Sequence, residues 1–270
     1  MKKFLAIILA GLMLLSLTAC GAKKDDNVKQ VGLLEIESSG GHRVHEAVAH
    51  ADRCESINFK YYSNLTSGIM DLKSGKVAAL ALGSASAAYV AEHNENLAVY
   101  DGRNYEEAYS MMTLDYNKEI FDILNDTIVA MKADGTLDAL VENELKAYIE
   151  SDPEAKDMPV FEGAKTIKVG VTGDLPPMDF VAANGKAAGF NVALLTEIAN
   201  RNQVNIELVQ VDTGSRAMAL SSGAVDAIFW TRSVTCVDCD ETFAEDIAGT
   251  LVTEGYFSDN SVVVKLKADK

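Results

Sequence analysis

The chain has 270 residues, 48% of them hydrophobic, with 40 acidic residues against 24 Lys and Arg, a formal net charge of −16 and a mean hydropathy of +0.04. That acidity sets nucleic acid aside as a partner, because phosphate contacts need a basic surface. The length suffices for one large domain or two lobes with real cores.

In chain order, Lys2-Lys3, an apolar run from Phe4 to Leu17 and Leu17-Thr18-Ala19-Cys20 read as a signal peptide over residues 1–19, its small-residue cleavage site followed at once by a cysteine. The apolar run is shorter than the roughly 20 residues that a bilayer-spanning helix needs. Residues 20–29 are polar and highly charged, the composition of a flexible tether. A strand is expected over Gln30 to Ile36, then a loop at Ser38, Ser39, Gly40 and Gly41 leading into a helix through His50. Next come strand Ile57 to Tyr62, helix Leu65 to Leu72, a turn at Ser74-Gly75 and strand Val77 to Leu82. Helix Ser84 to Glu92, strand Leu97 to Tyr100 and strand Ala108 to Leu114 follow. Ile120, Leu124, Ile128 and Met131 then recur at the spacing of one buried helical face, Gly135 interrupts, and the apolar pattern resumes to Tyr148.

Residues 151–163 carry Asp152-Pro153, Met158-Pro159 and Gly163 and read as a linker between residues 30–150 and 164–270. Beyond it, strand Ile167 to Val171 cannot continue through Pro176-Pro177, since proline lacks the amide proton and fixes φ. The resulting loop lies at the carboxyl end of a strand, where open α/β sheets bind ligands, and Gly189-Phe190-Asn191 opens a helix whose first amides favour negative charge. Strand Ile206 to Val211, helix Ser215 to Leu220 and strand Val225 to Trp230 complete the pattern. Leu72 to Ala79 and Leu220 to Ala227 align without a gap, so both halves contain a similar strand, helix, turn, strand unit.

The order strand, D-x-P-P-x-x-F, G-F-N, helix, strand, L-x-S-G-x-V-D-A, strand to Trp230 resembles the extracellular solute-binding proteins of ABC importers, amino-acid type. The resemblance implies an α/β, bilobal, type 2 periplasmic-binding fold, with two open sheets flanked by helices. Residues 30–150 are similar to the second lobe of such proteins with its closing helices, Met131-Lys-Ala-Asp-Gly-Thr-Leu-Asp138 resembling their C-terminal end, yet here they precede the first-lobe-like residues 164–270, so the halves stand in inverted order. One bilobal body and two incomplete domains in tandem both accommodate that order. Leu17 to Cys20 resembles a bacterial lipobox, implying a lipid on Cys20 and a membrane-anchored protein on the outer face; an ordinary secretory signal is the alternative.

What the resemblance implies for the site is a cleft lined by Asp174, Met178, Phe180, Trp230, Thr231, Arg232, Ser233 and Thr235 from one half and by Ser38, Ser39, Gly40 and Ser84 from the other. The arginine that grips a ligand carboxylate in the family falls at Asp238 here, and the acid that pairs with the ammonium falls at Gly83. Both charged anchors are therefore expected to be missing, and an unpaired buried charge costs several kcal/mol. The implied partners are a small polar solute, an ABC permease and, through the lipid, the membrane. No cofactor is implied. A sensory or scaffolding lipoprotein with the same fold and no transported ligand is the second reading.

Each residue also has a plain structural role open to it. Phe180 and Trp230 are candidate core side chains, and Asp226 a backbone hydrogen-bonding residue. His42, His45 and His50 with Cys54 are metal-ligand types, but positions 45 and 50 miss the i, i+4 spacing that aims two ligands at one ion. Cys236-Val-Asp-Cys239 fits a local disulfide or free thiols better than redox chemistry, lacking a thioredoxin-like context. No G-x-S-x-G, H-E-x-x-H or P-loop occurs, so the expectation is a binding protein and not an enzyme.

Overall fold

In this computed structural model, residues 29–35, 57–100, 105–151, 155, 157–236, 241–244 and 247–267 are described. The signal peptide with Cys20, the tether up to Val28, Ser38 to Gly41, the helix through His50, Cys54 and Cys239 lie outside them, while Lys29, expected in the tether, opens the first strand.

The architecture is α/β and bilobal, as the resemblance implies, but in place of two open sheets the described residues form one mixed eleven-stranded sheet that runs through both lobes, with two antiparallel strands paired at their junction. In one lobe, β1 (Lys29–Leu34) pairs in parallel with β2 (Ile57–Tyr62) and β3 (Ala79–Gly83). Helix α1 (Leu65–Lys73), helix α2 (Ser84–Glu92) and strand β4 (Leu97–Tyr100) complete it. Its core joins Leu34, Tyr62, Leu65, Leu72, Leu80, Val90, Leu97 and Val264. Asp71 on α1 accepts Lys60 Nζ at 2.5 Å, Lys76 Nζ at 2.8 Å and Tyr62 Oη at 3.0 Å, fixing the helix to β2. Those donors, Lys60 first, hold its carboxyl well below the usual range.

The other lobe is built on β10 (Asn205–Gln210), β6 (Thr166–Val171) and β11 (Ala227–Cys236), parallel and in that order, with β5 (Tyr105–Leu114) antiparallel on β11. Short strands β7 (Asp174–Leu175), β8 (Asp179–Val181) and β9 (Ala187–Ala188) form a separate three-stranded sheet. Strands β12 (Glu241–Ala244) and β13 (Thr250–Val252) pair with β11 and β5. Helix α3 (Lys118–Asp134) buries Ile120, Leu124, Ile128 and Met131, the face its periodicity predicts. They pack against Ile167, Val169, Phe190 and Leu194, the last two from helix α4 (Phe190–Asn202).

Strand β14 (Phe257–Leu266) joins the lobes. Its first residues, Phe257 to Asn260, pair with β5, and Ser261 to Val264 pair with β3. The spatial boundary therefore differs from the linear one drawn at 151–163. Strand β5 and α3, which precede that linker, belong to the lobe of residues 164–256, because α3 finds its apolar partners there. The close of β14, at the far end of the chain, belongs to the lobe of residues 29–100.

Candidate functional site

The carboxyl ends of β1 and β3, the loop after β6 and the first half of β11 converge on one cavity between the lobes. Leu33, Leu34, Ala81, Leu82, Gly83 and Ser86 wall it on one side. Leu175, Met178, Asp179, Asn191, Arg216, Phe229, Trp230, Thr231 and Tyr256 wall it on the other, and the connecting strands add Glu107, Tyr109, Asp259 and Ser261.

The loop after β6 is fixed by close backbone contact. Pro177 and Met178 present their carbonyls to the first amides of α4, accepting from Phe190 N–H at 2.9 Å and Asn191 N–H at 2.8 Å. Gly189 makes this possible: it sits at φ +109°, and a Cβ there would lie 2.7 Å from Pro177 O and closer still to Met178 O. Asp179, 3% exposed, accepts Thr172 Oγ1 at 2.5 Å, Thr172 N–H at 2.6 Å, Gly173 N–H at 3.1 Å and Asn191 Nδ2 at 2.8 Å. Tyr256 Oη donates to Asn191 Oδ1 at 3.0 Å and ends the network. Burial holds the Tyr256 hydroxyl well above its ordinary pKa, with the Asp179 charge adding to it.

Arg216 opens helix α5 (Arg216–Ser221), yet it is only 4% exposed. Its Nη1 donates to Phe229 O at 2.9 Å and its Nε to Thr213 O at 3.3 Å. On the linking strands, Tyr109 Oη donates to Glu107 Oε2 at 2.7 Å. Burial raises the Glu107 carboxyl above its ordinary range; the Tyr109 bond opposes this and the Asp259 charge reinforces it. Asp259 accepts the Ala85 N–H at 3.0 Å and the Ser84 hydroxyl, capping α2.

The lobes touch at the rim. Asp174 accepts Thr66 Oγ1 at 2.7 Å and Thr66 N–H at 3.0 Å in the first turn of α1, and Thr213 Oγ1 donates to Ser63 O at 2.8 Å. These contacts tie the two lobes together beside the cavity. Asp174→Ala is expected to shift the unliganded protein toward an open form by about 1 kcal/mol. Small-angle X-ray scattering would read this as a larger radius of gyration, and an unchanged profile would contradict the latch.

Of the residues predicted from sequence, Met178, Trp230 and Thr231 line the cavity. Asp174 serves the rim instead. Phe180 points away and packs edge-on against Tyr148 at 5.5 Å, because alternation along β8 puts it on the face opposite buried Asp179. Arg232 sits at a register shift in β11 and turns outward, donating to Thr253 O at 3.3 Å and facing Glu254 at 3.6 Å. Ser233 pairs with Ala108 and Ala244, and Thr235 Oγ1 bonds Thr242 Oγ1 at 3.0 Å, both beyond the cavity. Ser84 is occupied by Asp259. Asp226 bonds the Lys168 backbone through both its carboxylate and its own amide, each at 2.8 Å, a structural role.

Of the two family anchor positions, Gly83 bears no charge and Asp238 lies outside the described residues, while Arg216, Glu107 and Asp259 bring both signs of charge to the cavity from positions outside the motifs. A Cβ at Gly83, where the acid was expected, would lie 2.7 Å from Asp259 Oδ2, so a carboxylate from β14 fills the space that position leaves. Asn191 carried a signal, as the last letter of G-F-N. Arg216 carried none, since an arginine in a helix's first turn reads as solvated. Among the described residues, no group of three or more His, Cys, Asp or Glu is arranged to hold a metal, and no helix is long and apolar enough to cross a membrane.

Residues 167–237, from β6 through β11, match the family model of bacterial extracellular solute-binding proteins, family 3. No curated protein matches the sequence. Among solved structures, the chain is similar to the ligand-binding component of an ABC-type import system from Staphylococcus aureus with zinc bound, at 9% identity and a TM-score of 0.44, over 89% of this chain and 66% of that one. It is also similar to the GluR0 ligand-binding core in complex with L-glutamate, at 11% identity and a TM-score of 0.40, over 90% of this chain and 86% of that one. CbnR, a LysR family transcriptional regulator, is similar at 8% identity and a TM-score of 0.46, over 99% of this chain and 74% of that one. At such identities the likeness concerns the course of the chain and names no ligand for it.

Proposed function

We propose that the protein is the solute-binding component of an ABC importer, capturing a small polar, amino-acid-like solute between its lobes by hinge closure and presenting it to a membrane permease. The observation that carries this reading is the cavity itself, walled by both lobes and lined with apolar side chains and charged groups of both signs. Because each lobe supplies part of the wall, a bound solute favours the closed form over the open one. The family match over residues 167–237 supports the same reading. Lys2-Lys3, the apolar run and Leu17 to Cys20 support a protein held at the outer face of a bacterial membrane by lipid on Cys20. The reading is of a binding protein that performs no chemistry and needs no cofactor. A sensory or scaffolding role without a transported ligand is the second reading, supported by Gly83, which carries no charge at a family anchor position.

Thermal melting of the mature protein against a panel of amino acids, amines, organic acids and sugars tests this. A solute at 100 times its Kd stabilises by about 2.7 kcal/mol, which for a chain of this size raises Tm by roughly 5–10 °C. A panel that shifts nothing would contradict solute capture.

A further inference from the structure

The small sheet β7–β8–β9 belongs to one lobe and docks on the other. It is fixed to its own lobe by the Asp179 bonds and by Val181 N–H, which donates to Gly173 O at 3.3 Å. Asp174 and Phe180 are register partners on β7 and β8, so their side chains share one face of that sheet. Both reach the opposite lobe. Asp174 accepts Thr66 N–H and Thr66 Oγ1 at the start of α1, and the Phe180 ring stands 5.9 Å from the ring of Tyr89 on α2, with Tyr148 edge-on to it at 5.5 Å. Leu175, next to Asp174, packs against the cores of both lobes, and Ala85 of α2 packs into the core of the lobe opposite its own.

Two of these contacts stand where another role is expected. Phe180 holds a position that the resemblance assigns to the solute cleft, and its ring is taken up by Tyr89 and Tyr148 instead. The Thr66 amide lies in the first turn of α1, where helix amides have no partner inside the helix. Asn64 Oδ1 serves Ser67 N–H at 2.9 Å, whereas Thr66 N–H is served from the other lobe by Asp174 at 3.0 Å. Closure driven by solute alone needs lobes that part freely without it. Here polar, apolar and aromatic contacts join the lobes directly, with no occupant of the cavity between them.

We propose that β7–β8–β9 is a two-ended latch, with Asp174 on Thr66 at one end and Phe180 on Tyr89 at the other, which holds the lobes shut in the unliganded protein and releases both ends together. Solute then enters through a minor open form, which slows its association without weakening the closed complex, since the latch is made in both closed states. The use of the latch rests on the solute-capture reading above; its existence does not.

Amide hydrogen exchange of the unliganded mature protein, read residue by residue by NMR, tests this, because Thr66 N–H donates across the lobes. In the wild type that amide is expected to exchange at least about tenfold more slowly than a free amide, the protection allowed by an open form populated at about 10% or less. Tyr89→Ala acts on the other helix, yet it is expected to cut the Thr66 protection about three- to tenfold, the contribution of an aromatic pair. Phe190 N–H, bonded to Pro177 O within one lobe, should keep its protection and so show that the latch sheet itself is intact. Phe180→Leu, which keeps an apolar side chain against Tyr148, is expected to act as Tyr89→Ala does. Val181→Ala, on the opposite face of β8 and 56% exposed, should change neither amide. Exchange of Thr66 at the free rate in the wild type would mean that the lobes part without solute, and the latch falls. Thr66 protection that survives both Tyr89→Ala and Phe180→Leu would mean that the two ends act separately, and the latch falls again. Either result leaves solute capture standing, since the thermal panel tests that by itself.

Discussion

Asp179→Ala is expected to lower the stability of the protein by about 3–5 kcal/mol, the range for removing one partner of a fully buried charged network. The cause is local and countable. The carboxylate accepts Thr172 N–H, Thr172 Oγ1, Gly173 N–H and Asn191 Nδ2, and it is 3% exposed, so water cannot replace it. Alanine leaves those four donors without an acceptor, and each unsatisfied buried group carries a penalty of about 1–3 kcal/mol before relaxation. The network also shapes the cavity wall, since Asn191 and Tyr256 line the cavity and are oriented through it. Urea denaturation reads the loss as a lower midpoint with unchanged slope. A change under 1 kcal/mol would show that the loop between β6 and α4 does not depend on this residue.

Glu107→Gln is expected to act in the opposite direction, making the unliganded protein more stable at neutral pH. Burial raises the folded-state pKa of Glu107 above that of the unfolded chain. A group raised in this way contributes stability that is full below its unfolded pKa and is lost as pH rises through the folded value. Glutamine cannot ionise, so the variant escapes that loss. Near pH 4 wild type and variant should melt alike. At pH 7–8 the variant should gain about 1–3 kcal/mol, the scale of a buried polar group's desolvation, or roughly 3–10 °C in Tm. A variant that melts lower than wild type at pH 7 would mean that Glu107 is compensated in the free protein.

How much of this was legible in the sequence depends on range. Helix α2 and strand β2 lie over the residues their local patterns predict, Ser84 to Glu92 and Ile57 to Tyr62, because periodicity and flanking turns decide such segments. Strand β14 was not legible. Its residues Phe257 to Leu266 change partner midway, from β5 to β3, and a strand whose two ends serve different lobes has no single alternation to detect. With β14 went Asp259, and with it the reason Gly83 can stand where an acid was expected. Met178, Trp230 and Thr231 were legible since they stand beside motif residues, Pro176-Pro177 and the run ending at Ala227. Arg232, two residues beyond Trp230, was misassigned because a one-residue register shift reverses the face a strand residue presents. The lobe boundary was misplaced for a related reason. A Pro-rich linker marks where the chain is free to bend, whereas α3 is assigned to its lobe by contacts with Phe190 and Leu194, some seventy residues away by the numbering.

The central claim is that one cavity, walled by both lobes, holds the solute. Trp230 is the only tryptophan of the chain and lies in that wall, 6% exposed. Its fluorescence therefore reports on the cavity without any label. Titration with a solute that raises Tm should give a saturable change in Trp230 emission, with the same Kd as calorimetry. A solute that binds by calorimetry and leaves Trp230 emission unchanged at saturation would place the binding site elsewhere and contradict the account.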